Sequence, residues 1–380
     1  MLTTSYPLTP DSVSGIFIRH LIDHLPPHVI TTVITPCATR PPQDPHLRCC
    51  RYAPWSWQTL AHGPGGLPVA FKGHPWRLLL LPPFLLTLLW AVIRAARHAD
   101  LIQANWSIPG VLAGLAGRLT GKPVVTTLRG SDIHRAHDSF VHRLLLSLCL
   151  KLNQAVVTVS AEFHALLTGW YPQQAHKIHL IPNGIDTVRF APSPDPPATP
   201  RLITIGNLTP HKGVHHLLSA LAGLQQVYPF ELLVVGDGPE KESLIAQAHA
   251  LGLTQRVHFS GAVPPDRIPG LLTRSTLYLT ASAGEGRSNA VLEAMASGLP
   301  VIAGRVSGMA ELIEHERTGL LYDPDRSDAL ASAIARVLAE PDRARRMGLE
   351  ARNRLIAQGL EWSATARRYH ALWSSLLCAV

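Results

Sequence analysis

The sequence predicts an α/β protein of two doubly wound domains, each built on a parallel sheet. Three observations carry that prediction. Short apolar runs alternate with helical stretches along the chain. The runs lack strict apolar–polar alternation, as strands covered on both faces do. A proline-rich break divides the chain near its middle.

The second half is the more regular. Its expected strands are "RLITIG" (201–206), "ELLVVG" (231–236), "RVHFSG" (256–261), "TLYLTA" (276–281) and "PVIAG" (300–304). Helical patterns such as "GVHHLLSALAGLQQ" and "EKESLIAQAHALG" lie between them. In the first half, "TTVITP" (31–36), "ADLIQAN" (99–105), "KPVVTTLRG" (122–130) and "QAVVTVS" (154–160) read as strands. Residues 37–75 show no period and read as a long loop, the kind that is functional or mobile. The break is "RFAPSPDPPATPR" (189–201), whose five prolines exclude a helix. The expected domains are therefore 1–188 and 199–360, with a helix over 361–380 crossing back to the first.

The chain has 380 residues, 46% of them hydrophobic, enough for a core in each half. The net charge of +8 is unevenly placed. Residues 1–190 hold 16 Lys+Arg against 8 Asp+Glu, and residues 191–380 hold 18 of each. The whole excess lies in the N-terminal half, which suggests an anionic partner there. The five cysteines show no metal-ligand spacing and are expected to be reduced. The run "WRLLLLPPFLLTLLWAVIRAARHAD" (76–100) reads as a buried helix, a helix lying in a membrane surface, or a span. Trp76 and Trp90 near its ends and Arg94 and Arg97 beyond fit the second of these.

Candidate chemistry concentrates in "AGEGRSNAVLEAMASGLPVIAG" (283–304). A strand ends near Ala281, a glycine-rich loop follows, and Ser288 or Asn289 can cap the next helix. The first turn of that helix offers free N–H groups and a positive dipole end, a ready anion site. Ligands of open α/β sheets bind beyond the carboxyl ends of strands, where this loop falls. Glu293, about one turn in, can accept hydrogen bonds from a vicinal diol such as a ribose. Glu285, before the helix, can reach another part of the ligand. The bland alternative is a capped helix with two incidental acids.

Other strand ends add weaker signals. In "IGNLTPHKG" (205–213), Gly206 permits a turn and Lys212 can neutralise a phosphate. In "VVGDGPEKESL" (234–244), Gly236 and Gly238 make a turn. Gly15, before a helical run, lets backbone approach a ligand. "TLRGSDIH" (127–134) sets Arg129, Gly130 and Asp132 after a strand, and "IPNGIDTVRF" (181–190) ends one in an Asn-Gly turn. No H-E-x-x-H or G-x-S-x-G occurs, and no metal site is expected.

Taken together these motifs resemble glycosyltransferase family 4, of the GT-B superfamily with two facing Rossmann-like domains and a cleft between them. "EGRSNAVLEAMASGLPVIA" matches that family's E-x7-E signature, with Glu285 and Glu293 as the two acids. "GNLTPHKG", "GDGPE", "SGMAELI", "TGLLYDP" and "IPNGID" fall in the family's order, and "TTSYP…SGIFI" and "TLRGSD" match its acceptor-domain loops.

The resemblance implies a retaining, metal-independent hexosyl transfer from a UDP- or GDP-sugar, with no cofactor beyond that donor. The acceptor it implies is a glycan or a polyprenyl-diphosphate lipid in cell-surface polysaccharide synthesis, in the cytoplasm or at the inner face of the cell membrane. An anionic membrane surface is an expected partner, and nucleic acid is not. Ser288, Asn289 and Ala290 would approach the diphosphate, Glu293 the ribose and Glu285 the donor sugar. Lys212 would balance the leaving diphosphate, and the backbone at Gly15 would face it from the other domain. Glu285, Lys212, Asp132 and Arg129 form the candidate catalytic set. Gly15, Gly206, Asn207, Arg287, Ser288, Asn289, Ala290, Leu292 and Glu293 form the donor-binding set.

Three departures stand out. Asn207 replaces the arginine usual after the first strand of the donor domain, removing a cation. Arg129 replaces a histidine, so Arg129 or Arg287 is expected to restore the charge. The chain begins at "MLTTSYP", close to the end of the first strand, so either that strand is a stub or the natural start lies upstream. The alternatives are a sugar-nucleotide epimerase or disaccharide synthase of the same fold, and a membrane-associated pseudo-enzyme without turnover.

Overall fold

The computed structural model describes residues 1–8, 12, 15–37, 46–61, 74–195, 197, 199–284, 288–306 and 308–378, apart from the side chains of Ser131, His134 and Asp138. The chain divides into two units, Met1–Pro182 with Trp362–Val380, and Asn183–Glu361.

In the first unit, α1 (Ile16–Asp23) precedes β1 (Val33–Pro36) and β2 (Leu47–Cys50). Then come α2 (Leu81–Ala96), β3 (Ile102–Asn105), α3 (Ser107–Thr120) and β4 (Val124–Leu128). After these follow α4 (Gly130–Asp138), α5 (Phe140–Leu152), β5 (Ala155–Thr158), α6 (Ala161–Trp170) and β6 (Ile178–Leu180). β1 pairs with β2, and β3 through β6 pair in sequence order, all parallel.

The two ladders are joined by the first residues of the chain. Leu2 bridges both Ile34 and Ala104 in parallel. Its N–H donates to Gln103 O at 2.8 Å, and Asn105 N–H donates to Leu2 O at 3.0 Å. Leu2 thus supplies the strand that lies between them. The strand order around it is the doubly wound one, reversing direction there. Completely buried Leu2 lies in one core with Ile34, Ala104, Phe84 and Leu88.

The second unit runs β7 (Arg201–Ile205), α7 (Val214–Ala222), β8 (Glu231–Val235), α8 (Lys241–Ala250) and β9 (Val257–Gly261). It continues through α9 (Ile268–Thr273), β10 (Leu277–Thr280), α10 (Asn289–Ala296), β11 (Val301–Gly304) and α11 (Met309–Leu312). β12 (Leu320–Tyr322), α12 (Ala329–Ala339) and α13 (Pro341–Ala357) complete it. The sheet order β12-β11-β10-β7-β8-β9, all parallel, again reverses at the first strand, between β7 and β10. Alternate strand residues feed opposite cores, as the two-residue pleat requires. Leu202, Val234 and Leu279 face one layer of helices, and Ile203, Val235 and Tyr278 the other.

α14 (Trp362–Leu377) belongs to the first unit. Its Trp362, Ala366, Tyr369 and Trp373 pack with Val125, Ala155 and Val157. Buried polar groups there form a connected chain. Tyr369 Oη lies 2.8 Å from Thr127 Oγ1, Gln103 Nε2 donates to the same Oγ1 at 3.0 Å, and Trp373 Nε1 donates to Gln103 Oε1 at 3.0 Å.

Three sequence expectations change. β2 falls inside 37–75, read from sequence as a loop, and forms by pairing with β1. The chain enters the second unit at Asn183, ahead of the proline-rich break. The reason is anchoring: Ile185 and Phe190 are buried in a second-unit core, and the Arg352 guanidinium donates to the carbonyls of Phe190, at 2.6 Å, and Thr187, at 2.8 Å. The cysteines are also not all reduced, because Cys37 and Cys49 form a disulfide with Cα atoms 5.5 Å apart. β1 and β2 bring together two thiols whose sequence spacing gives no such signal. Cys50, Cys149 and Cys378 remain free.

Candidate active site

The loops after β7 and β10 meet at the reversal point of the second sheet, where open α/β sheets bind ligands. A shallow recess opens there, lined by Gly206, Asn207, Lys212, Thr280, Ser282 and Ser288 among others. Its floor is held by Tyr278, whose hydroxyl donates to Ile205 O at 3.3 Å.

Local sequence explains how the loops hold their shape. Pro210 opens a short 3-10 turn, Pro210–Lys212, and Gly213 ends it at φ 63°. A Cβ at Gly213 would lie 2.3 Å from Ala281 O, so only glycine lets the two loops pack. The His211 carbonyl accepts from Ala283 N–H at 2.9 Å, and His211 Nε2 pairs with Gly284 O at 2.6 Å. The Lys212 stem passes above Gly206, with Cε 3.7 Å from where a Cβ would stand. Gly206 itself is not left-handed. The glycine requirement lies opposite, at Gly236 (φ 140°), where a Cβ would fall 1.9 Å from Gly206 O.

α10 begins at Asn289 with Ser288 as its N-cap, and the Ser288 side chain makes no capping bond. The first-turn N–H groups of such a helix have no intrahelical acceptors. Asn289 Oδ1 accepts from Asn183 Nδ2 at 3.5 Å, a long contact that brings the 181–190 segment to the helix start. Ala290 is half-buried. Leu292 is not a site side chain: it is 0% exposed, in the core with Val291, Met295 and Ile203. The i, i+3, i+4 spacing that helps the helix pack turns Leu292 away from the loop.

Glu293 keeps a partly exposed edge, yet its carboxyl is set into protein, and burial pushes its pKa up to about 7. The Arg189 guanidinium works against that rise. Such a carboxyl changes charge near neutral pH and can donate or accept with equal ease. Glu285 and Arg287 lie outside the described residues.

The first unit has its own reversal point, at the Leu2 strand and β3. Gly15, at φ 72°, caps α1, and a Cβ there would lie 2.3 Å from Ser5 O. Its glycine is thus required by the chain's own backbone. Arg129 is 9% exposed; its guanidinium donates to Asn105 Oδ1 at 2.8 Å and stacks 3.9 Å from the Phe17 ring centroid. Burial lowers its pKa to about 10. Asp132 is 6% exposed, and its oxygens accept from Ser107 N–H (2.9 Å), Ser107 Oγ (2.7 Å) and Arg129 N–H (3.0 Å). The last is half of a capping box at α4. Desolvation raises the Asp132 pKa and those hydrogen bonds oppose the rise. Both residues, cast as catalytic from sequence, are bound into the frame of the first unit, Arg129 by packing and Asp132 by capping.

Sequence reading missed Trp106. It sits at the C-terminal end of β3 at φ 69°, half-buried, edge-on to Phe17 with centroids 5.9 Å apart. A positive φ on a bulky residue costs about 1–3 kcal/mol and collects at functional positions. No local pattern announces it, since the strain comes from the turn between β3 and α3.

A profile described as Glycosyltransferase Family 4 matches residues 14–189, and one described as Glycosyl transferases group 1 matches residues 188–354. The chain belongs to glycosyltransferase family 4. This family 4 chain is 34% identical over 220 residues to a GDP-mannose-dependent α-(1-6)-phosphatidylinositol monomannoside mannosyltransferase of Mycobacterium tuberculosis. The match takes in 53% of this chain and spans 55%, about half, of that relative's length. Sucrose-phosphate synthase from Thermosynechococcus elongatus shares the fold at a TM-score of 0.80, with 23% identity, over 100% of this chain and 99% of that one. HepE from Anabaena in complex with UDP-glucose matches at a TM-score of 0.66 and 26% identity, over 76% of this chain and 82% of that one. The fold is that of GT-B glycosyltransferases.

Proposed function

We propose that this chain is a retaining glycosyltransferase. It moves a hexose-type sugar from a UDP- or GDP-sugar to a glycan or polyprenyl-diphosphate-linked acceptor, in the synthesis of a cell-surface polysaccharide in the cytoplasm or at its membrane face. The observation that carries the reading is the convergence at the reversal point of the second unit. Lys212 on one loop and the Ser288 end of α10 on the other line one recess, with Glu293 one turn along the helix. That set suits a nucleoside diphosphate: two sources of positive potential for the phosphates, and a carboxyl for the ribose diol. The donors named for the mannosyltransferase and for HepE, GDP-mannose and UDP-glucose, support a donor of this class.

In this reading the diphosphate leaves as the bond from sugar C1 to phosphate oxygen breaks. The acceptor oxygen attacks C1 on the same face, and its proton passes to a departing phosphate oxygen. Lys212 and the N–H groups of Asn289 and Ala290 meet the charge that grows on the leaving group, the kind of preorganised stabilisation that lowers a barrier most. Glu293 holds the ribose, and Glu285 the donor sugar's hydroxyls. Asn207 supplies a neutral amide where the family's arginine would supply charge, which puts more of the diphosphate on Lys212.

The test is thermal stabilisation by UDP, GDP, ADP and their sugars, with and without a chelator. The expected result is a shift with uridine or guanosine nucleotides that survives the chelator. A folded sample that responds to none overturns the donor site. A response that the chelator abolishes overturns metal independence. Stabilisation without transfer or hydrolysis of any donor turns the reading to a pseudo-enzyme.

A further inference from the structure

The helical stretch Pro75–Ala96 has two apolar faces. Along α2, Phe84, Leu88, Val92 and Ala96 recur every four residues and are buried in the first unit's core. Two positions over, on the opposite side of the helix, Leu86 is 66% and Trp90 62% exposed. In the 3-10 turn before α2, Trp76, Leu78 and Leu79 are exposed as well. Trp57, also exposed, packs edge-on against Trp76 with centroids 6.0 Å apart. A helix on the surface of a globular protein carries polar residues outward; this one presents apolar side chains on both sides.

Cations outnumber acids around this face. Residues 24–100 hold seven Lys/Arg and two acids, Asp44 and Asp100. Arg94 and Arg97 are exposed at the C-terminal end of α2, and Arg51 lies 5.3 Å from the exposed Trp55 ring. A second copy of the chain on the same face would set these cations against each other. An anionic lipid surface meets both demands: tryptophans settle at the headgroup level, and arginines reach phosphates. The 22-residue stretch is long and apolar enough to span, but its Phe84–Ala96 ridge is committed to the core.

We propose that the exposed face of Pro75–Ala96, with Trp55 and Trp57, docks the first unit on an anionic bilayer, α2 lying in the plane of the membrane. The inference uses the first unit alone and is independent of the donor chemistry.

The experiment is co-sedimentation of the full chain with phosphatidylglycerol-containing vesicles and with pure phosphatidylcholine vesicles, at low salt. Tryptophan emission is followed in parallel. The expected result is binding to the anionic vesicles with a blue shift, and weak binding to the neutral ones. The double variant Leu86→Ser/Trp90→Ser should bind at least about tenfold more weakly, and Arg94→Glu/Arg97→Glu likewise. Both pairs are exposed, so an unchanged melting temperature accompanies the loss, and nucleotide-induced stabilisation should be unaffected in either. The proposal is overturned if the wild type ignores anionic vesicles, or if Leu86→Ser/Trp90→Ser binds them as the wild type does. It is also overturned if the face instead drives a dimer in sedimentation velocity that those substitutions dissolve.

Discussion

Glu293 should make the protein less stable as pH rises through neutrality, and Glu293→Gln should remove that dependence. The carboxyl titrates near 7 in the folded protein against 4.5 as the reference. Protonated, it costs little; ionised, it is a charge held away from water. A raised folded-state pKa means that its contribution is fully present below about pH 4.5 and is lost as pH climbs to 7 and beyond. The gap is worth about 3 kcal/mol at most, and less to the extent that the partly exposed edge admits water. In a unit of this size about 1 kcal/mol moves the melting temperature by roughly 2–4 °C. Thermal melts of both proteins from pH 4.5 to 8 provide the assay, and taking their difference cancels the titration of every other group. The two should agree near pH 4.5, with Glu293→Gln the more stable by several degrees at pH 8. A difference that stays constant across the range would refute the reasoning. Ligand reverses the sign: if the ribose donates to the carboxylate, affinity for a nucleotide-sugar, whose diphosphate does not itself titrate near 7, rises with pH through 7 in the wild type and stays flat in the variant.

Other outcomes follow from single contacts. Lys212→Ala should weaken nucleotide diphosphate binding roughly tenfold to a hundredfold, the worth of a charge-assisted bond, by titration calorimetry. Gly213→Ala should cost about 3 kcal/mol in denaturant unfolding, because a left-handed φ and a 2.3 Å approach to Ala281 O fall on one Cβ. Arg129→Ala should destabilise the first unit by about 2 kcal/mol in urea, since Asn105 loses its charged donor and Phe17 its stacking partner, without changing the nucleotide-induced shift. A reduced nucleotide shift in that variant would restore Arg129 as the substitute for the missing arginine.

The features legible in the chain alone are local ones. Nine strands were legible as short apolar runs, and most of them are covered on both faces, because burial from two sides leaves a continuous hydrophobic word. The start of α10 at Asn289 was legible because a glycine-rich stretch after an apolar run marks the passage from strand to helix. What stayed hidden depends on distant partners. β2 lies in a segment without period, and its strand character comes from pairing with β1. Leu2 takes part in the sheet only because Ile34 and Ala104 flank it. Leu292 and Glu293 are neighbours in sequence, and only helix packing sends one into the core and leaves the other partly exposed. Arg129 and Asp132 look like reactive charges after a strand, and only the tertiary structure turns one onto Phe17 and the other onto Ser107. Periodicity encodes which face of an element is apolar; what that face meets is decided by the rest of the chain.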